Sequence, residues 1–230
     1  MAGSLYTMAM LNQLFENNRV WAEQMREQDP GFFERLALQQ TPEYLWIGCA
    51  DNRVPANQIL GMGPGGVFVH RNVGNIVIHT DLNCLSVLQY AVDVLKVKHV
   101  IVCGHYECGG VRAALSEVRH GLIDNWLCHI RDIFQKHQAL LTPLSPDERV
   151  ERMCELNVAE QVLNVCQSTV MSDAWQRGQA VSVYGLIYSV QNGLLNALMR
   201  SITGEQALPN AYAHAIETIH QRATGKEPQS

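Results

Sequence analysis

The sequence predicts an α/β fold: a central, mostly parallel β-sheet flanked by helices, with an N-terminal helical arm and a C-terminal β-hairpin plus helix. Three observations carry this expectation. Short apolar runs at 44–48 (YLWIG) and 99–103 (HVIVC) read as buried strands. Stretches with helical periodicity separate them, the pattern of a parallel sheet with helical crossovers. The pair Asn192-Gly193 joins two further strand-like runs, a strong hairpin signal.

The elements follow in order. Residues 1–10 read as a disordered extension. Residues 11–28 place Leu11, Leu14, Phe15, Trp21 and Met25 at helical spacing, and a short helix restarts after Asp29-Pro30, so 11–40 form an arm with too few apolar positions for a core of its own. It packs on the body or on a second subunit. The first strand covers 44–49, and Pro55 opens a helix at its first position. The glycine-rich stretch 61–66 is a loop before a second strand at 67–71. Thr80 or Asp81 caps a helix running to about residue 95. The third strand ends at Cys103, and Gly109-Gly110 opens another helix. Further helices cover 121–138 and 146–177, the latter interrupted near Asn157. Strand 180–190 and return strand 194–200 form the hairpin, a helix covers 209–222, and the polar tail 223–230 is frayed. The whole chain, 1–230, is expected to be a single domain with the arm appended.

Composition narrows the function. The chain has 230 residues, 47% hydrophobic and 17% charged, with a net charge of -5 and no basic run that would serve nucleic acid. No apolar stretch approaches the roughly 20 residues needed to span a bilayer, and the first residues lack a signal-peptide pattern. Seven cysteines in such a chain fit reduced thiols and a cytoplasmic setting better than a disulfide framework.

The chemistry is concentrated in two short segments. Cys49-Ala50-Asp51-Asn52-Arg53 follows the first buried strand, and His105-Tyr106-Glu107-Cys108 follows the third. Parallel strands share one carboxyl edge, where sites form, so Cys49, His105 and Cys108 converge there as a Cys₂His set. Such a set suits zinc and leaves one coordination position for chemistry. Gly109-Gly110 lets the backbone approach the metal closely. Asp51 is near enough either to fill the fourth position or to pair with Arg53 and leave it to water; one carboxylate cannot do both. Two thiolates place more negative charge on the ion than three imidazoles do, so bound water should be less acidic and activity should rise toward alkaline pH. Plainer readings stand beside this one. The cysteines and histidine could be unrelated core residues or a structural zinc site, and Asp51 with Arg53 an ordinary surface pair.

Together, Cys49-x-Asp51-x-Arg53-Val54-Pro55, the run 68–73 (FVHRNV) and Gly104-His105-x-x-Cys108-Gly109-Gly110 resemble the β-class carbonic anhydrases. The stretches 77–95, 121–132 and 157–162 are similar to the bacterial, bicarbonate-regulated (type II) branch. The resemblance covers about residues 11–195. It implies an active site at a dimer interface, an arm that wraps a partner, and a homodimer or homotetramer built as a dimer of dimers. It implies Zn2+ held by Cys49, His105 and Cys108, Asp51 and Arg53 as catalytic dyad, Asp51 on zinc in a closed state only, and Val54 and Gly109 in the substrate pocket. The implied reaction is reversible hydration of carbon dioxide to bicarbonate and a proton, by attack of zinc-bound hydroxide. Trp46, Arg71 and Tyr188 match an allosteric bicarbonate site, through which bicarbonate and low pH favour the closed state. The plain alternative for these three is two core aromatics and a buried ion-pair arginine. Departures include Asn52 where serine is common and Gly74 where alanine is frequent, the latter expected to loosen its loop. Glu107 lies between two ligands, and Ser189 and Asn192 stand where acidic residues are common. Other readings on the same fold are a carbonyl sulfide or carbon disulfide hydrolase and a non-catalytic zinc- or bicarbonate-binding regulator.

Overall fold

The computed structural model describes residues 2–38 and 41–225. They fall into two compact units, Met1–Gln40 and Thr41–Ser230, where the sequence suggested one domain with an arm. The last residues of the tail, 226–230, lie outside the described residues.

In the first unit, helix α1 spans Ala2–Gln28 and α2 spans Phe32–Leu38. The helix thus begins nine residues before the expected start at Leu11, in place of a disordered extension. Residues 2–10 contain Ala, Leu and Met, all good helix formers, and no proline. Arg19 pairs with Glu16 at 2.6 Å and Glu23 at 2.5 Å along one face, while Trp21 meets Phe33 edge-on at 5.7 Å. Leu11, Leu14 and Phe15 are exposed.

The second unit is built on five strands: β1 (Tyr44–Cys49), β2 (Val67–Asn72), β3 (His99–His105), β4 (Ser182–Tyr188) and β5 (Leu195–Ile202). Their order is β2-β1-β3-β4-β5, parallel through β4, with β5 antiparallel to it. Alternation along the strands divides the core. Leu45, Ile47, Val100 and Val102 enter the larger cluster beneath the helices, and Trp46, Ile101 and Cys103 enter a smaller one with Val54 and Ala56. In register, Cys49 lies beside Asn72, Gly48 beside Arg71, and His105 beside Tyr188, so the carboxyl ends of β1, β2, β3 and β4 share one edge.

Between the strands lie α3 (Ala56–Ile59), α4 (Leu82–Gln89), α5 (Gly109–Ala114), α6 (Ile123–Lys136), α7 (Gln138–Leu141), α8 (Pro146–Cys166), α9 (Thr169–Gln176) and α10 (Leu208–Ala223). Pro55 precedes α3 rather than opening it. Asp81, not Thr80, caps α4, accepting from the Asn83 backbone at 3.0 Å. The expected helix to residue 95 instead widens after Gln89 into a π-helical turn, Tyr90–Val94, closed by Leu95 N–H donating to the Tyr90 carbonyl at 3.0 Å.

Helix α8 is the spine of the core, packed on β3, β4 and α10. The Ser145 backbone N–H donates to Glu148 at 3.1 Å at its start. It passes unbroken through Asn157, because that amide donates to the Gly74 carbonyl at 2.8 Å and accepts from Gln161 at 3.0 Å rather than competing for its own helix. The break falls at Ser168, whose hydroxyl bonds the Val165 carbonyl at 2.7 Å and caps α9 through Met171 N–H at 3.3 Å. The β4–β5 connection is longer than a two-residue turn. Ladder pairing stops at Tyr188 and Leu195, and Ser189 N–H donates to Leu194 O at 2.9 Å around residues 190–193. Among the described residues, no helix is long and apolar enough to cross a membrane.

One buried carboxylate ties three helices together. Burial pushes Glu160 on α8 up, but hydrogen bonds from His137 at 2.8 Å, Lys136 at 2.8 Å and the Tyr212 hydroxyl outweigh it and hold the group at about 2. A depressed folded-state pKa stabilises the protein fully above the ordinary carboxylate value and loses that stabilisation as pH falls toward 2. The contribution is about 3 kcal/mol by linkage. In acid-unfolding series the stability gap between wild type and Glu160→Gln is expected to close between about pH 4.5 and pH 2. A gap that stays constant over that range would contradict this account.

Candidate metal centre and dyad

Cys49 ends β1, His105 ends β3, and Cys108 precedes α5 as its N-cap residue. All three are buried, and their donor atoms lie within 4.8 Å of one another. The two sulfurs are 3.8 Å apart. Accepting from Cys108 holds Cys49 below the ordinary thiol range, and donation to Cys49, together with burial, pushes Cys108 above it. The His105 Nδ1 bonds the Tyr106 carbonyl at 2.9 Å, which fixes the tautomer and frees Nε2. That Nε2 is buried and has no hydrogen-bond partner. A buried imidazole nitrogen with an unused lone pair, facing two sulfurs, fits a soft or borderline cation and fits little else.

Asp51 is paired with Arg53 in a two-pronged contact. Arg53 Nη2 donates to Oδ2 at 2.7 Å and Nε to Oδ1 at 3.0 Å, and the Arg53 backbone N–H adds a third bond to Oδ1 at 2.9 Å. These bonds, led by the guanidinium, hold the Asp51 carboxyl at about 2. Asp51 Oδ2 also lies 3.8 Å from His105 Nε2, so the carboxylate borders the donor set while engaged with arginine.

The remaining expected site residues are placed as follows. Val54 is fully buried, its N–H donating to the Asp51 carbonyl at 3.2 Å. At Gly109 an added Cβ would meet nothing within 4 Å, whereas at Gly110 it would lie 2.9 Å from Val73 Cγ1; close packing therefore demands glycine at the second position. Gly74 sits at φ +81, where glycine is favoured, and its loop is held by Asn157 on the Gly74 carbonyl and by Trp126 Nε1 on the Val73 carbonyl at 2.7 Å. The expected loosening is not what the contacts show. Glu107 adopts φ +57; its carboxylate accepts from Gln191 Nε2 at 2.9 Å and its carbonyl from Arg53 Nη2 at 3.4 Å.

Trp46 and Tyr188 belong to the smaller apolar cluster. The Trp46 indole N–H is buried without a partner, over Gly48, where an added Cβ would come 2.2 Å from Nε1. Arg71, beside Gly48 in register, donates from Nε to the Cys49 carbonyl at 2.8 Å and from Nη2 to the Asp51 carbonyl. Its guanidinium thus holds the backbone of the dyad loop, a role the buried ion-pair alternative did not describe. A second donor set, His70, Asp81 and Cys84, also lies within 4.8 Å. There the His70 Nε2 already has a partner in Asn72 Nδ2 at 3.2 Å, unlike the unpartnered Nε2 of His105.

A family model described as carbonic anhydrase matches residues 44–195, a span that includes every candidate ligand and the Asp51–Arg53 pair. The carbonic anhydrase of Emericella nidulans is 45% identical over 188 residues, 81% of this chain and 82% of that one. A Coccomyxa β-carbonic anhydrase solved with acetazolamide superposes with a TM-score of 0.86 at 42% identity, covering 96% of this chain and 99% of that one. A tetrameric β-carbonic anhydrase of Sordaria macrospora gives 0.79 at 39% identity, covering 84% and 98%. The chain belongs to the carbonic anhydrase family, in its β class, and it is an enzyme of that kind. These relatives do not place it in the bacterial branch.

Proposed function

We propose that the chain is a zinc enzyme for reversible hydration of carbon dioxide, with Asp51 and Arg53 as working dyad and an inhibitory bicarbonate site at Trp46, Arg71 and Tyr188. The observation that carries the reading is the two-pronged Asp51–Arg53 pair beside the converging Cys49, His105 and Cys108 donors. Zinc held by those three residues would supply Lewis acidity that brings a water's pKa toward neutrality. Arg53 keeps Asp51 ionised and turned aside. A carboxylate held there accepts a hydrogen bond from a neighbouring water and so orients its lone pair toward an electrophile. Carbon dioxide is small and apolar, so few polar contacts are needed to hold it, and the open space beside Gly109 gives it room, with Val54 packed beneath the dyad loop.

Regulation follows from the same bonds. Arg71 holds the carbonyls of Cys49 and Asp51, and the unpartnered Trp46 N–H faces the same strand neighbourhood. A planar anion taken by the guanidinium competes with its grip on the dyad loop. Asp51 is then released from Arg53 toward the metal position, which closes the site.

Stopped-flow hydration between about pH 6.5 and 9, with and without bicarbonate, tests this reading. Because Asp51 is ionised throughout that range, the expected alkaline rise belongs to the thiolate-rich centre. Bicarbonate is expected to suppress the rate cooperatively, most at the acid end, and Arg71→Ala to remove that suppression. Hyperbolic kinetics indifferent to bicarbonate would remove the regulatory half of the proposal.

The exposed Leu11, Leu14 and Phe15 of α1 suit burial against a second copy. Sedimentation velocity should show a dimer or tetramer for the full chain and a smaller species without residues 1–40. An unchanged assembly would exclude the arm from it.

A further inference from the structure

We infer that Glu155 is a positioning residue for the metal histidine, acting through Tyr106. The inference rests on the reading of Cys49, His105 and Cys108 as ligands. Glu155 lies on α8 and is fully buried, a costly place for a carboxylate unless it is fully partnered. It has three donors from three elements. Arg152 Nη1, one turn earlier, reaches Oε2 at 2.7 Å; Arg222 Nη1, from the last turn of α10, reaches Oε1 at 2.9 Å; and the Tyr106 hydroxyl reaches Oε1 at 2.6 Å.

The third bond concerns the site. Tyr106 follows His105 directly, and its carbonyl receives the His105 Nδ1 bond at 2.9 Å. Its own N–H donates to the Tyr188 carbonyl at 3.0 Å. Tyr106, whose carbonyl sets the tautomer and direction of the histidine ring, is therefore held at three points: by β4 through its N–H, by the imidazole through its carbonyl, and by Glu155 through the phenol. Only the last involves a buried charge, and the two arginines fix that charge in turn. Outer partners of this kind typically govern metal affinity by about 10–100-fold.

Glu160 supplies the internal control. It is a second buried carboxylate on the same helix, but its partners Lys136, His137 and Tyr212 are not metal ligands and none adjoins one in sequence. Zinc affinity is measured on folded, full-length protein by competition with a chromogenic chelator, and ligand geometry by the visible spectrum of the Co2+-loaded form. Tyr106→Phe is expected to bind one zinc about tenfold more weakly, with an altered cobalt spectrum. Glu155→Ala should weaken binding at least as much, and Glu155→Gln should recover part of the loss, because its amide oxygen still accepts from the phenol. Glu160→Gln should lower Tm and leave zinc affinity and cobalt spectrum at wild-type values. Wild-type affinity and spectrum in Tyr106→Phe would overturn the inference, even if the Glu155 variants failed to fold. So would equal loosening in Glu160→Gln, which would make the effect a general one of α8. Tight zinc retained in His105→Ala would instead strike at the ligand assignment, and the inference would fall with it.

Discussion

Asp51→Asn is expected to lower kcat/KM for carbon dioxide hydration by about 100-fold or more while leaving zinc at one per chain, the size expected when one preorganised hydrogen-bonding group at the reacting centre is lost. The change is nearly isosteric. It keeps an oxygen for the Arg53 backbone N–H, now 2.9 Å from Oδ1, but gives up the charge that faces the guanidinium across 2.7 and 3.0 Å. The proposed ligands Cys49, His105 and Cys108 are untouched. The loss should appear at every pH between 6.5 and 9, because the wild-type carboxyl, held at about 2, is ionised throughout that range. Retained activity with retained zinc would show that Asp51 is a structural partner of Arg53 alone.

The second large effect is expected for His105→Ala. His105 brings the one imidazole of the donor set, with a buried and unpartnered Nε2. Without it two thiols remain, and the hydrogen bond between them, together with burial, already disfavours deprotonating both. Zinc affinity should fall by more than the roughly 100-fold seen when only an outer partner is lost, and hydration should fall to the buffer background. Metal analysis after gel filtration separates this from unfolding, which circular dichroism would report. A variant that keeps zinc and activity would mean that the ligand lies elsewhere.

The gathering of Cys49, His105 and Cys108 beside Asp51 and Arg53 was legible because the information is local. Each group lies within a few residues of the end of a buried strand, and a parallel sheet brings such ends to one edge. Equally local signals placed residues 44–49 as a strand and narrowed the cap of the helix after residue 81 to Thr80 or Asp81, of which the structure uses Asp81. Features fixed by distant partners were not legible. Asn157 reads as a helix interrupter until its amide is seen on Gly74, 83 positions away. Gly74 reads as a loosened loop until its φ of +81 is known. Glu155 draws no notice in the sequence, since no pattern announces that Tyr106, 49 positions earlier, and Arg222, 67 positions later, meet on it. The π-helical turn after Gln89 has no turn-forming residue to mark it. Trp46, Arg71 and Tyr188 were reached through the family resemblance alone; the pattern gives no sign that Arg71 holds the dyad loop by its carbonyls.

The most direct measurement is stopped-flow carbon dioxide hydration at about pH 8.5 on one preparation in three states: as purified with zinc quantified, after chelation, and after zinc is restored. The account predicts fast hydration with one zinc per chain, loss to background in proportion to metal removed, and recovery on reloading. Background rates in the zinc-replete protein, or full activity after the metal is removed, would contradict it.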